Sequence, residues 1–263
     1  MAVHSTAIID PQAQVDPTCE IGPQVVIDGP VKIGPHCRLA PGAIVMGRTT
    51  IGSHCSIHSH AVLGDIPQDH RFHGQETYLE IGDHCVIREG VTIHRAVLEQ
   101  ETTSIGDHCY LMTNSHVGHD CILGDHVTLV SGALLGGHVT IGDHAIISGN
   151  AAVHQFVRVG ELAMVSGLAK VVQDVPPYLM TDREGSIVGL NRVGLRRAGF
   201  SVVERQELKT LFKLVYRTGM SYQQVCDLAK DVATTESGHR FLDFLNTDSS
   251  RGIRKSALRK RAA

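Results

Sequence analysis

The chain has 263 residues, 24 of them basic and 27 acidic, so no bulk charge draws it to nucleic acid or to an acidic partner. Nowhere does it run ~18 apolar residues in succession, the length a membrane-spanning helix needs, and no charged-then-apolar leader opens it, so a cytoplasmic protein is expected. With no Trp, five Tyr and six Phe, the core must be built from small residues, which suits a narrow, repetitive interior.

From Val3 a six-residue step finds Ile9, Val15, Ile21, Ile27, Ile33 and so on to Val171. Of 29 positions in that register 26 are Ile, Leu or Val, the exceptions being Asp69, Gln75 and Glu99. The fifth position of each hexad is small and mostly apolar: Ala7, Ala13, Cys19, Val25, Val31, Cys37. Because side chains alternate along a strand, positions five and one point inward and position six points out. Positions two to four, rich in Gly, Asp and Asn, make a corner. Three flats and three corners close one turn of a triangular prism in ~18 residues, with turns stacking ~4.8 Å apart. The expected fold is mainly β, a parallel β-helix. The pattern resembles the hexapeptide-repeat proteins, and that resemblance implies a left-handed coil, against the usual crossover rule.

Along the chain the pattern breaks twice, at 64–80 and at 99–104. Such excursions from a regular solenoid tend to carry binding functions. It stops near Val175-Pro176-Pro177, where two prolines end strand pairing. The expected domains are therefore 1–178, the β-helix, and 179–263, a linker to about Ser186 followed by a small helical domain and a basic tail. Ser201-Val-Val-Glu204 reads as a capping box, Ser221-Tyr-Gln-Gln224 as a second helix start, and Gly238–Leu245 as a third helix. The basic tail after Arg251 reads as a solvated end.

The register also sorts the reactive side chains. Eight of the 17 histidines occupy position four and four more, His4, His58, His94 and His154, occupy position two, all corner slots. Six of the seven cysteines occupy inward position five, where they act as small core residues. Unpaired buried thiols suit the cytosol, and no CxxC pair suggests zinc. His116, at outward position six, and His119, at position three beside Asp120, stand outside the corner pattern. Asp120 could hold one imidazole tautomer, and a neutral imidazole can deprotonate a hydroxyl. Spacing alone leaves these as catalytic groups or as surface histidines.

Several segments carry a closer resemblance: Glu89-Gly-Val-Thr-Ile-His-Arg95, Asn114-Ser-His-Val-Gly-His-Asp-Cys121, Ala152-Val-His-Gln-Phe156, Gln173-Asp-Val-Pro-Pro-Tyr178, Gly189-Leu-Asn191 and Leu195-Arg-Arg-Ala-Gly-Phe200. With them the chain resembles the UDP-N-acetylglucosamine O-acyltransferases of lipid A biosynthesis over nearly its whole length. The resemblance implies transfer of a 3-hydroxyacyl group from acyl carrier protein to the 3-hydroxyl of UDP-N-acetylglucosamine, by a homotrimer, with no cofactor and no metal. It implies His119 as general base, Asp120 as its orienting group and the Gly137 backbone N–H as oxyanion donor. Substrate contacts are implied for Asp69, Arg71, His116, His138, His154, Gln155, Asn191 and Arg197, and a limit on acyl length at Gly167. The family more often has Lys where this chain has Arg71, and a second Arg where it has Ala198. The rival readings are the N-acyltransferase of the same pathway, a γ-type carbonic anhydrase and a non-catalytic scaffold. The first carries a uridine-binding domain before its hexads, which here begin at Val3. The second needs zinc-binding histidines on adjacent turns.

Overall fold

The computed structural model describes residues 2–220 and 222–254. Its strands fall into three sheets, of eleven, nine and eight strands, which form the flats of a prism. The first face begins with Ala2–Val3, the second with Ile8–Ile9, the third with Gln14–Val15. Consecutive strands lie on successive faces. Each pairs in parallel with the strand one coil later, as Tyr110 with Thr128, His116 with Leu134 and Ile122 with Thr140. The fold is a left-handed parallel β-helix.

The burial follows the hexad. Cys121 and Leu123 are buried while Ile122 between them is 52% exposed. One continuous column of Ile, Leu, Val, Ala and Cys fills the prism from Cys19 to Val175. The cysteine thiols do more than fill space. Each of Cys37, Cys55, Cys85, Cys109 and Cys121 donates at 3.1 Å to a glycine carbonyl at the corner of the next coil.

Position four turns most corners by adopting the left-handed region, whereas at Gly29 and Gly47 position three does so. All eight histidines at position four have φ between 55° and 62°. Histidine is among the few non-glycine types enriched in this region, so these residues bend the chain as well as facing solvent. The glycine at position two permits close stacking: a Cβ on Gly106 would lie 2.6 Å from the Gly124 carbonyl carbon.

The first excursion is narrower than its sequence limits, and the second is shifted toward the N-terminus. Tyr78 pairs with Arg48 and with Thr102, so strands Tyr78–Ile81 and Thr102–Ile105 reclaim residues for the third face. The loops proper span 66–77 and 95–101. His94, a corner residue by register, is buried, and its ring Nδ1 lies 2.5 Å from the Ile66 carbonyl, tethering the first loop.

Beyond the last coil the expected linker is instead a hairpin. Leu179–Thr181 pairs antiparallel with Ile187–Leu190 and extends the first face. Four helices follow: α1 (Arg192–Arg197), α2 (Val202–Arg217), α3 (Tyr222–Val232) and α4 (Glu236–Asn246). Ser201 and Glu204 form the capping box of α2. Ser221, expected to open α3, lies outside the described residues. Leu208 and Leu211 of α2 share an apolar core with Phe241 and Leu245 of α4. Glu207 accepts from the backbone and hydroxyls of Thr234 and Thr235, fixing the turn into α4. No helix among the described residues is long and apolar enough to cross a membrane.

The described start of the tail is not a loose solvated end. Ile253 bridges to Asp174, and the Arg254 guanidinium donates to the carbonyls of Glu184 and Gly185, to Gln173 and to Ser186. These partners are ~70–80 residues away in sequence, so no local pattern announces them. Residues 255–263 lie outside the described part.

Leu111 is fully buried at mid-column. Leu111→Ala should cost ~2–5 kcal/mol, seen as a lower urea midpoint with the slope unchanged.

Candidate active site

Both excursions and the outlying histidines share one edge, the corner between the second and third faces. The loop 66–77 follows strand Val62–Asp65, and the loop 95–101 follows strand Thr92–His94, both on the second face. The next three coils present Gly118-His119-Asp120, Gly136-Gly137-His138 and His154-Gln155-Phe156 at that same corner. The coil length therefore stacks His119, Gly137 and Gln155 in one column, and Asp120, His138 and Phe156 in the next.

His119 and Asp120 are tightly coupled. The His119 Nδ1 lies 2.5 Å from Asp120 Oδ2. Since the carboxylate accepts, Nδ1 carries the proton and Nε2 keeps its lone pair. Asp120 is fixed from two sides: its carboxylate accepts from the Val97 N–H of the second loop, and its own N–H donates to Thr103 Oγ1 at 2.7 Å. Asp69 of the first loop comes within 3.7 Å of His119 Nε2. Arg71 grips Asp69 through both guanidinium and backbone and holds its carboxyl well below the usual range. Asp69 thus lies as an anion beside the free face of the imidazole.

His138 completes the cluster. Its ring meets His119 edge-on at 5.1 Å and stacks flat on Phe156 at 4.5 Å. Its Nε2 is 3.7 Å from Asp120 Oδ2, too long for a hydrogen bond, and burial lowers its pKa. His119, Asp120 and His138 each bring a ligand atom within 4.8 Å of the others, so these three could hold a metal ion. His116 faces out from the second face, with Nδ1 2.8 Å from Thr92 Oγ1. Burial, reinforced by His94 and His119, pushes its pKa down to about 4.

Gly137 contributes its backbone. At the third corner the N–H groups of Asp83, Asp107 and Asp125 each donate to an aspartate of the next coil, at 2.7–2.9 Å. The equivalent N–H of Gly137 has Gln155 above it rather than aspartate, and has no acceptor among the described residues. A Cβ on Gly137 would lie 2.4 Å from His119 Cε1, so only glycine lets the imidazole sit against this peptide. The corner thus joins an oriented base, an adjacent free N–H donor and an anionic rim, which suits abstraction of a hydroxyl proton and stabilisation of an oxyanion.

Of the sequence-predicted residues, Asp69, Arg71, His116, His119, Asp120, Gly137 and His138 come together here, with His154 and Gln155 exposed on the same edge. Gly167 does not join them: it lies at the corner between the first and second faces. Asn191 is also elsewhere. Its amide caps α1, accepting from Gly194 N–H and donating to the Leu162 carbonyl at the third corner. Arg197 is exposed at the end of α1. Sequence reasoning missed Phe156 and Arg251. Arg251 donates to the Gln155 carbonyl at 2.8 Å and lies over the Phe156 ring that backs His138. Counting one coil up from His138 reaches Phe156; nothing local points to Arg251.

Three family models match the chain: UDP-N-acetylglucosamine O-acyltransferase domain 2 at 174–254, bacterial transferase hexapeptide repeats at 102–137, and the GMPPB C-terminal domain at 3–67. The acyl-[acyl-carrier-protein]–UDP-N-acetylglucosamine O-acyltransferase of Anaeromyxobacter sp. strain K is 40% identical over 256 residues, 96% of this chain and 99% of its own. That of Aeromonas salmonicida is 46% identical over 200 residues, 75% of this chain and 76% of its own. The crystal structure of Francisella novicida UDP-N-acetylglucosamine acyltransferase superposes with a TM-score of 0.94 at 35% identity, over 97% of this chain and 94% of that one.

The low His116 pKa sets a pH dependence. Between the ordinary 6.5 and about 4 the unfolded chain holds a proton that the folded chain releases. The stability from neutral, half-buried His116 is present above that window and is lost as pH falls through it. Proton NMR of the His116 ring should show a midpoint near 4, and His116→Gln should lose less stability than wild type across the window.

Proposed function

The chain belongs to the acyl-[acyl-carrier-protein]–UDP-N-acetylglucosamine O-acyltransferase family, and from that premise we propose that His119, oriented by Asp120, is the base of its reaction. The protein is an acyltransferase of lipid A biosynthesis, acting on acyl carrier protein and UDP-N-acetylglucosamine. The observation that carries the proposed mechanism is the His119–Asp120 pair set against the unsatisfied Gly137 N–H.

In this reading the sugar 3-hydroxyl gives its proton to His119 Nε2 as its oxygen attacks the thioester carbonyl. The tetrahedral oxyanion takes the Gly137 N–H. Collapse of that intermediate expels the carrier thiolate, which recovers the proton from the imidazolium. Asp120 holds the tautomer and stabilises the transient positive charge. Asp69, beside Nε2, is placed to accept from a sugar hydroxyl and steer it toward the base, with Arg71 fixing that carboxylate. His116, His138, His154, Gln155, Asn191 and Arg197 are proposed as further substrate contacts.

The donor and the assembly belong to the same proposal. A cavity of about 840 Å³ between α1 and α2 is lined by Arg192, Arg196, Arg205, Lys209, Lys213 and Arg217, with no carboxylate among its lining. It suits a phosphate-bearing carrier. Outward positions of the second face are apolar in its early coils, Ile8, Val26, Ile44 and Val62, whereas the third face carries Gln14, Lys32, Thr50 and Glu80. That asymmetry favours a homotrimer packed through the second face. Such packing sets the first corner of one copy, with Gly167, near the catalytic corner of another, where a small residue would admit a long 3-hydroxyacyl chain. The unpaired buried thiols support work in the cytoplasm. The division at 178–179 is proposed on the same footing.

Purified protein incubated with UDP-N-acetylglucosamine and a panel of 3-hydroxyacyl carrier proteins should yield acylated sugar nucleotide. No product with any donor would refute the reading. His119→Gln should fold normally and lose ~10²–10⁴-fold in kcat with little change in substrate binding; retained activity would remove His119 as the base.

A further inference from the structure

The third corner carries six imidazoles that the proposed reaction does not use. His36, His54, His84, His108, His126 and His144 stand one above another, with ring centroids 4.8, 4.9, 4.8, 4.8 and 4.5 Å apart. The first pair is tilted by 26°, and the other four contacts are within 5° of parallel. All six side chains are exposed. Among the described residues none of their ring nitrogens makes a hydrogen bond. In the upper coils each histidine follows an aspartate, Asp83, Asp107, Asp125 or Asp143, so carboxylates flank the ladder.

We infer that this ladder binds divalent transition-metal ions, each held between two neighbouring rings. Imidazole suits Zn²⁺, Ni²⁺ and Cu²⁺, whereas Mg²⁺ and Ca²⁺ prefer all-oxygen sites. Metal–nitrogen bonds of ~2.0–2.1 Å allow two imidazole nitrogens on one ion to stand up to ~4.2 Å apart. The centroid spacing of 4.5–4.9 Å exceeds that, and flat-stacked rings aim their lone pairs in parallel, so both rings must tilt toward each other for two nitrogens to meet on one ion. Rotation of exposed rings that make no other bond closes such a gap. His126 and His144, the nearest pair, form the tightest site, with water completing the shell. An ion so placed adds a clip between successive coils at a corner already tied by aspartate–amide hydrogen bonds.

The test compares two triple variants that remove the same number of imidazoles. His54→Asn, His108→Asn and His144→Asn together leave no neighbouring pair. His36→Asn, His54→Asn and His84→Asn together leave His108, His126 and His144 adjacent. Asparagine fits the backbone, since Asn114 and Asn150 adopt φ of 58° and 53° at the same hexad position. The chelator-treated full chain is titrated with Ni²⁺ by calorimetry at neutral pH, with Tm followed in parallel. Wild type and the second variant should bind saturably with a raised Tm, and the alternating variant should lose both effects. His119→Asn, which breaks up the His119–Asp120–His138 group that could hold a metal, should bind like wild type. Absence of saturable Ni²⁺ binding by wild type, equal binding by the two triple variants, or loss of binding in His119→Asn alone would each overturn the inference. Should the alternating variant not fold, as judged by circular dichroism, glycine at the same positions, as at Gly132 with φ of 70°, replaces asparagine and the same outcomes decide.

Discussion

Most coils close because position four of the hexad enters the left-handed region, and every coil must then lay its corners on those of the coil before. This stacking fixes what can follow. It dictates glycine where backbone meets backbone, as at Gly106, and small inward residues where three faces converge. It also places residues one coil apart in vertical columns, so a corner is a one-dimensional array in which each side chain's neighbours are set by chain length alone.

The three corners use that array differently. The third is self-satisfied: aspartates cap the N–H groups of the preceding coil and histidines stack outside them. At the second corner the pattern is interrupted in two ways. Two coils loop out and fold back over the edge, bringing Asp69 to His119 and Val97 to Asp120. One coil higher, glycine and glutamine replace the aspartate arrangement, which frees the Gly137 N–H and makes room for the imidazole. In the proposed mechanism, reactivity arises where the lattice of the solenoid leaves a donor unsatisfied next to an oriented base.

The prism was legible in the sequence because its period is strict and local. The inward cysteines and the departure of His116 and His119 from the corner slots followed from the same count. That both excursions leave from the corner that bears His119 was also countable, though it needs the coil length rather than the hexad. What lay out of reach depends on contacts between distant segments. The hairpin at 179–190, the tethering of the first loop by buried His94, the anchoring of Arg254 and the backing of His138 by Phe156 and Arg251 have no periodic signature. Asn191 likewise has no periodic signature for its place in the single chain, where its amide caps α1.

The central claim is that the unsatisfied peptide of Gly137 and the imidazole packed on it act as one unit. Gly137→Ala tests this most directly, because a methyl group there must displace the His119 ring, 2.4 Å away, while its φ, unlike those of the left-handed corner residues, suits alanine. Steady-state kinetics of the folded variant should show kcat reduced by the ~10²–10⁴-fold that loss of a positioned general base costs. A variant that folds and turns over at the wild-type rate would contradict the account.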